Sequence, residues 1–121
     1  MRIAVEPRQL TAEERATVDR VLQVDFPGAE ELRRQLDQVR VVALWGTHSV
    51  SVDLQVTGDA PRAPVPNGVV PVTCTVLDEG GELFGEIILW VESGRLAALE
   101  YAWYGDLPPT TLPEVERMIT S

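Results

Sequence analysis

The sequence contains no lysine, one cysteine and one histidine, and each shortage removes a class of chemistry. Without lysine, the chain cannot form a Schiff base or supply the phosphate-binding lysine of a P-loop. The single cysteine, Cys74, cannot form an internal disulfide, and we interpret it as a small core residue. One cysteine and one histidine are too few ligands for a zinc site built of nitrogen and sulfur atoms. We therefore expect no metal and no other cofactor.

Basic residues and long apolar runs are also scarce. Ten arginines stand against 19 carboxylates, which gives a net charge of −9, and residues 61–121 carry −6 of it. Nucleic-acid binding needs a basic surface, so we expect no nucleic-acid partner, whereas an acidic surface can steer a basic protein. No apolar run approaches the ~18 residues that cross a bilayer, and the first residues lack a signal-peptide core. These absences predict a cytoplasmic location without membrane association.

The order of the local patterns predicts one α+β domain over residues 1–121. Two N-terminal helices are expected to pack on a mainly antiparallel sheet of about five strands, arranged as a meander. A short C-terminal helix is expected to end the chain. Thr11 and Glu14 have the spacing of a capping box, which places the start of the first helix. Pro27 suits the first turn of the second helix.

The longest apolar stretch, residues 84–104, is interpreted as a β-hairpin. It is rich in β-branched and aromatic residues, and Ser-Gly at residues 93–94 suits a two-residue turn. If the turn has two residues, Glu86 lies opposite Tyr101 on the neighbouring strand. This register divides the hairpin into an aliphatic face, suited to cover by the helices, and an aromatic face.

The aromatic face of the hairpin supplies the candidate functional surface. Tryptophan and tyrosine combine an apolar body with a polar group, so they suit a protein interface or a ligand pocket as well as a core. Three interpretations stay open: a plain core, a protein interface that includes self-association, and a small-molecule pocket. With one residue added from an earlier strand, the candidates are Trp45, Phe84, Glu86, Trp90, Tyr101 and Trp103.

No group of residues has the spacing of a catalytic site. His48 adjoins Ser49, but neighbouring residues on a turn or strand point apart, and no nucleophile elbow is present. Glu86 lies among aromatic residues, where a carboxylate can act as an acid or a base, but Glu100, the carboxylate next to Tyr101, is expected on the other face, so a carboxylate pair sharing one site is not supported. The acidic turn at residues 78–82 does not match a calcium loop. We therefore assign no catalytic residue.

Two segments carry a resemblance: Asp25–Ala29 after the first helix, and Leu99–Asp106 with the Pro-Pro pair at residues 108–109. In these segments the chain resembles a group of small acidic proteins of actinomycetes, and the resemblance covers most of the chain. Relatives often carry cysteines near the turn at residues 45–48, where this chain has Gly-Thr, so we expect no metal or thiol role for that turn. The group has no assigned activity, so the resemblance implies neither a function nor site residues.

The favoured hypothesis is a non-enzymatic domain that binds a protein through the aromatic face of the 84–104 hairpin. The partner is expected to be a second copy, as in a homodimer, or a basic protein neutralised in the manner of an immunity protein. The alternative is a small-ligand-binding or enzymatic domain with a pocket between sheet and helix. These hypotheses differ in what lies against Trp90, Tyr101 and Trp103.

Overall fold

The computed structural model describes residues 1–121 and confirms an α+β architecture with a mainly antiparallel sheet. The sheet has eight strands where about five were expected, because short strands near both ends of the chain join it and residues 68–77 form two strands. The elements are β1 (Ile3–Arg8), α1 (Ala12–Leu22), α2 (Ala29–Arg34), β2 (Val39–Leu44), β3 (Val52–Val56), β4 (Gly68–Val69), β5 (Cys74–Leu77), β6 (Leu83–Glu92), β7 (Arg95–Trp103) and β8 (Met118–Thr120).

Seven of the strands follow the order β1-β2-β3-β7-β6-β5-β8, and each neighbouring pair is antiparallel. The expected meander is therefore found only within β1-β2-β3 and within β5-β6-β7. These two units join where β3 pairs with β7. The arrangement puts the hairpin of β6 and β7 in the middle of the sheet, with neighbours on both sides.

Residues 68–77 form two separate strands. The chain forms β4 first and rejoins the sheet at Cys74 as β5, and both segments pair with β6 at different parts of its length. Pro71 lies in the gap, as expected for a residue that cannot donate a hydrogen bond to a β-ladder. Cys74 is fully buried, and its burial raises the pKa of its thiol, which agrees with a packing role.

The two helices cover one face of the sheet. The predicted capping box is present, since the Glu14 N–H donates to Thr11 Oγ1 (3.1 Å) and the Thr11 N–H donates to Glu14 Oε1 (2.8 Å). Apolar side chains from both helices join the inner face of the sheet in one cluster of 22 buried residues. Because both helices contribute to this cluster, neither covers the opposite face, which we call the outer face of the sheet.

The predicted C-terminal helix is wrong. Residues 115–117 make a single 3-10 turn, and the chain continues as β8 beside β5. Met118 is fully buried there while Ile119 is exposed, which is the alternation of a strand. The spacing of Val115, Met118 and Ile119 resembles one side of a helix, but so short a helix is unstable alone. The free edge of β5 offers backbone partners instead.

Glu14 also ties the start of α1 to β1. Its carboxylate is buried and accepts hydrogen bonds from both terminal nitrogens of Arg8, at 2.8 and 3.1 Å. Burial by itself raises the pKa of Glu14, but the hydrogen bonds from Arg8 and Thr11 outweigh burial and hold the pKa below its ordinary value. The ionised form of Glu14 is therefore favoured by folding.

Because folding lowers the pKa of Glu14, protonation of this carboxylate in acid should reduce the stability of the folded protein. Its contribution is complete above the pKa of glutamate in the unfolded chain, ~4.3, and is lost as pH falls through the lower pKa of the folded state. We expect the unfolding free energy of the wild type to fall more steeply between about pH 6 and pH 3 than that of Glu14→Gln. Urea titrations at several pH values measure both slopes. Equal slopes for the wild type and Glu14→Gln would contradict a lowered pKa of Glu14 in the folded state.

Candidate functional site

The hairpin forms with the expected two-residue turn, but its register shifts by one residue just beyond the turn. Trp90 pairs with Ala98 and not, as predicted, with Ala97. Such a β-bulge moves every later side chain of β7 to the other face of the sheet. Because of the bulge, Leu96 and Leu99 both lie in the core although they are three residues apart.

The predicted aromatic face is therefore wrong. Tyr101 pairs with Ile87 and not with Glu86, and its side chain is buried in the core. The ring of Phe84 meets the ring of Tyr101 edge-on, with the centroids 6.0 Å apart. Burial raises the pKa of the Tyr101 hydroxyl above its ordinary value, so this group stays protonated at neutral pH. These two rings belong with the core, which was one of the three interpretations left open.

Glu86 and Trp90 lie on the outer face of the sheet. Glu86 is half-buried beside Ile88 in a shallow groove and pairs with Ala102. The indole Nε1 of Trp90 donates a 3.0 Å hydrogen bond to Oε1 of Glu100, a carboxylate that the bulge brings to this face. The outer face of the hairpin thus holds one tryptophan with three carboxylates, Glu86, Glu92 and Glu100, and it is not the continuous aromatic surface that was expected.

Trp45 and Trp103 line the same cleft at one end of the sheet. The pairing of β3 with β7 reaches only Val52 and Leu99, although β7 continues for four more residues. Beyond that point, a space of about 590 Å³ lies between the β2–β3 turn, the end of β7 and an extended segment at residues 105–113, which we call the arm. We name this space the tryptophan cleft; its lining includes Trp45, His48, Ser51, Glu100, Trp103 and Pro108.

Hydrogen bonds to the backbone occupy the two serine hydroxyls of the tryptophan cleft. The buried Ser51 Oγ accepts a hydrogen bond from the Tyr101 N–H (2.9 Å), and Ser49 Oγ donates to the Ser51 carbonyl (3.2 Å). His48 is exposed and bonds to neither hydroxyl. A serine nucleophile needs an adjacent base within hydrogen-bond reach. Neither serine is therefore an activated nucleophile.

Trp45 is held in place by a cation and a carboxylate of its own chain. Its Nε1 donates to Asp53 Oδ1 (2.9 Å), and the guanidinium of Arg2 lies over the indole, 4.2 Å from the ring centroid. Arg2 Nε also donates to Asp53 Oδ2 (2.9 Å). Each of these three side chains therefore contacts the other two, and one guanidinium is already stacked on the indole of Trp45.

Glu100 is the only carboxylate that lines the tryptophan cleft, and no arginine lines it. Its Oε1 accepts the hydrogen bond from Trp90, while its Oε2 has no hydrogen-bond partner within the protein. Simple alternation places Glu100 on the aliphatic face, so the sequence analysis missed it. The sequence Leu-Ala-Ala-Leu at residues 96–99 is the available signal, because two inward leucines at that spacing require a bulge.

Acidic and exposed apolar side chains gather at the same end of the sheet as the tryptophan cleft. Asp78, Glu79 and Phe84 line a cavity of about 300 Å³ together with residues 109–114 and Arg117. The segments 78–84 and 103–117 are therefore neighbours, and we call them the acidic end. Their 22 residues hold six carboxylates and one arginine, a net charge of −5 out of the −9 of the whole chain. Four large apolar side chains are exposed there: Leu83 (58%), Trp103 (42%), Tyr104 (56%) and Leu107 (81%).

The carboxylates do not form a metal centre. No three side chains of histidine, cysteine, aspartate or glutamate gather in an arrangement that could hold a metal ion. One of the acidic groups, Glu79, instead lies 3.7 Å from the guanidinium of Arg117 at the surface. In addition, neither helix has the length and apolar composition that crossing a membrane requires.

Comparison with known proteins assigns no family to this fold and site. No protein-family model, no curated protein and no solved structure matches the chain. The resemblance to small acidic proteins of actinomycetes, carried by residues 25–29 and 99–109, therefore stays a prediction.

Proposed function

We propose that the protein is a non-enzymatic binding domain whose acidic end recognises a basic protein partner. One observation carries the proposal: four exposed large apolar side chains and five of the nine net negative charges share the same 22 residues. Contiguous exposed apolar surface with a polar rim is typical of a protein interaction site. Neutralisation of a basic toxin, as by an immunity protein, is one form that such binding would take.

The composition of the acidic end suits an interface with a basic partner. Tryptophan and tyrosine are enriched among the residues that contribute most to protein association, and Trp103 and Tyr104 are adjacent here. Carboxylates around them would speed the encounter with a positively charged surface. The arm contains two consecutive prolines at residues 108–109, which restrict its backbone and lower the entropy lost on binding.

Charge argues against self-association through the same surface. In a symmetric dimer, the acidic end of one copy would face the acidic end of the other, and like charges would oppose each other across the contact. The homodimer hypothesis therefore requires a different surface, such as the outer face around Trp90. The small-ligand alternative keeps one supporting observation, since the tryptophan cleft has the volume of a ligand site.

Selection from a random peptide library displayed on phage tests the proposal, because it requires no identified partner. Peptides recovered on the wild-type protein are expected to be enriched in arginine and lysine, and their affinity should fall with rising salt. We expect Asp106→Asn combined with Glu82→Gln to weaken binding of these peptides about tenfold at low salt, because two interfacial charges are removed.

A matched pair of exposed acids lies at the opposite end of the sheet. Asp59→Asn combined with Glu92→Gln removes the same net charge next to the β6–β7 turn, so it controls for a general loss of attraction. This control should keep most of the affinity. The proposal is wrong if recovered peptides lack positive charge, if both double variants weaken binding equally, or if no peptide is enriched.

A further inference from the structure

We infer that the tryptophan cleft is a subsite for one arginine side chain of the partner, held between the indoles of Trp45 and Trp103 and bound by the carboxylate of Glu100. The inference deepens the proposed function and rests on it, because the arginine would belong to the basic protein that docks on the acidic end. The tryptophan cleft adjoins that surface directly, since Trp103 belongs to both.

The chemistry of the cleft lining matches a guanidinium. Trp45 and Trp103 are both among its lining residues, and indoles are the aromatic groups that attract cations most strongly. Its single carboxylate, Glu100, has Oε2 without a partner, so it can accept a charge-assisted hydrogen bond. A planar guanidinium satisfies both features at once, because it stacks on rings through its face and donates hydrogen bonds from its edge.

The chain itself provides a precedent in the contact of Arg2 with Trp45. That guanidinium stacks on the indole at 4.2 Å and donates to Asp53, the carboxylate that also accepts from the indole Nε1. Glu100 repeats this relation, since it accepts from the Nε1 of Trp90. Arg2 does not line the tryptophan cleft, so it leaves the surface of Trp45 within the cleft accessible.

No arginine of the protein itself is paired with Glu100. Asp53 already bonds to Arg2 and Trp45, whereas Glu100 has no arginine within salt-bridge distance. No arginine lines the cleft, and the side chain of His48, its one histidine, is exposed. An incoming arginine would therefore meet an unpaired carboxylate and would not need to displace a native ion pair.

The test uses two small probes, Nα-acetyl-arginine methylamide and its uncharged analogue Nα-acetyl-citrulline methylamide. The three tryptophans give three indole N–H signals in a nitrogen–proton NMR spectrum. The arginine probe should shift the signals of Trp45 and Trp103, and also that of Trp90 through its hydrogen bond to Glu100. A ligand of this size should bind with a dissociation constant of ~1 mM. The citrulline probe should bind at least about tenfold more weakly.

Substitutions distinguish the subsite from general attraction to an acidic protein. Glu100→Gln should weaken binding of the arginine probe about tenfold, whereas Glu86→Gln, on the same outer face but outside the cleft, should leave it unchanged. Trp103→Leu should weaken binding about fivefold and keeps an apolar side chain in place. The inference is overturned if citrulline binds equally well, or if Glu100→Gln and Glu86→Gln have equal effects.

Failure of the subsite and failure of the proposed function give different results. If basic peptides bind the acidic end but Glu100→Gln does not weaken binding of the arginine probe, only the proposed subsite is wrong. If the arginine probe binds at Glu100 but no basic peptide binds the acidic end, the cleft recognises a small guanidinium compound, and the proposed function is wrong.

Discussion

The Gln35→Leu variant is expected to lose about 3–5 kcal/mol of unfolding free energy, because three backbone groups lose a buried partner. The side chain of Gln35 is fully buried. Its Nε2 donates to the carbonyls of Pro61 (2.8 Å) and Gly94 (2.9 Å), and its Oε1 accepts from the Leu96 N–H (3.0 Å). Leucine has nearly the same size, so the loss would come from unsatisfied polar groups and not from a cavity.

The same substitution three residues away is the matched control. Gln38 has a buried Oε1 without a hydrogen-bond partner, so Gln38→Leu removes an unsatisfied group and leaves none behind. We expect this variant to change the unfolding free energy by less than about 1 kcal/mol, in either direction. Urea unfolding of both variants measures the difference. Equal losses would show that Gln35 contributes as packing volume and not as a hydrogen-bonding bridge.

Gln35 matters for the site because it connects the helical layer to the hairpin. Its bonds reach Gly94 in the β6–β7 turn and Leu96 at the start of β7, immediately before the bulge. The bulge in turn decides which face Glu100 and Tyr101 occupy. A fixed start to β7 therefore helps to set the register on which the tryptophan cleft depends.

The largest effect on binding is expected from the double variant Trp103→Ser/Leu107→Ser. Both side chains are exposed in the free protein, at 42% and 81%, so their replacement should cost little stability. At an interface, however, large apolar side chains contribute most of the affinity. We expect the affinity for a selected basic peptide to fall about a hundredfold, which corresponds to ~3 kcal/mol. Isothermal titration calorimetry with one peptide measures this change.

Val69→Ser/Ile119→Ser is the corresponding control. Val69 and Ile119 are each 52% exposed, and both lie on β-strands outside the acidic end. Their replacement removes a comparable amount of exposed apolar surface, and we expect the affinity for the peptide to stay within about twofold of the wild type. An equal loss in the two double variants would mean that binding follows general hydrophobicity and not the composition of the acidic end.

Local sequence signals predicted the parts of the fold that short-range chemistry determines. The capping box of Thr11 and Glu14 and the turn at residues 93–94 each depend on a few neighbouring residues, and the structure confirms them. The joining of β3 to β7 depends on contacts far apart in the chain. No local pattern encodes it, and for the same reason β8 was mistaken for a helix.

The site was harder to predict because one residue decides its composition. An extra residue at Ala97 transfers Tyr101 to the core and Glu100 to the outer face, so the expected aromatic face disappears. Of the six predicted site residues, Trp45, Tyr101 and Trp103 do line one cleft. The arm that completes it has no regular secondary structure. Sequence periodicity therefore gave no indication of where Leu107 and Pro108 would lie.

The most direct test of the central claim is to map, by NMR, where a selected basic peptide binds on the nitrogen-15-labelled protein. The proposed function predicts that backbone signals change at residues 78–84 and 103–117, with further changes at residues 45–51 if an arginine enters the tryptophan cleft. Changes confined to α1, α2 or the opposite end of the sheet would contradict the claim that the acidic end is the binding surface.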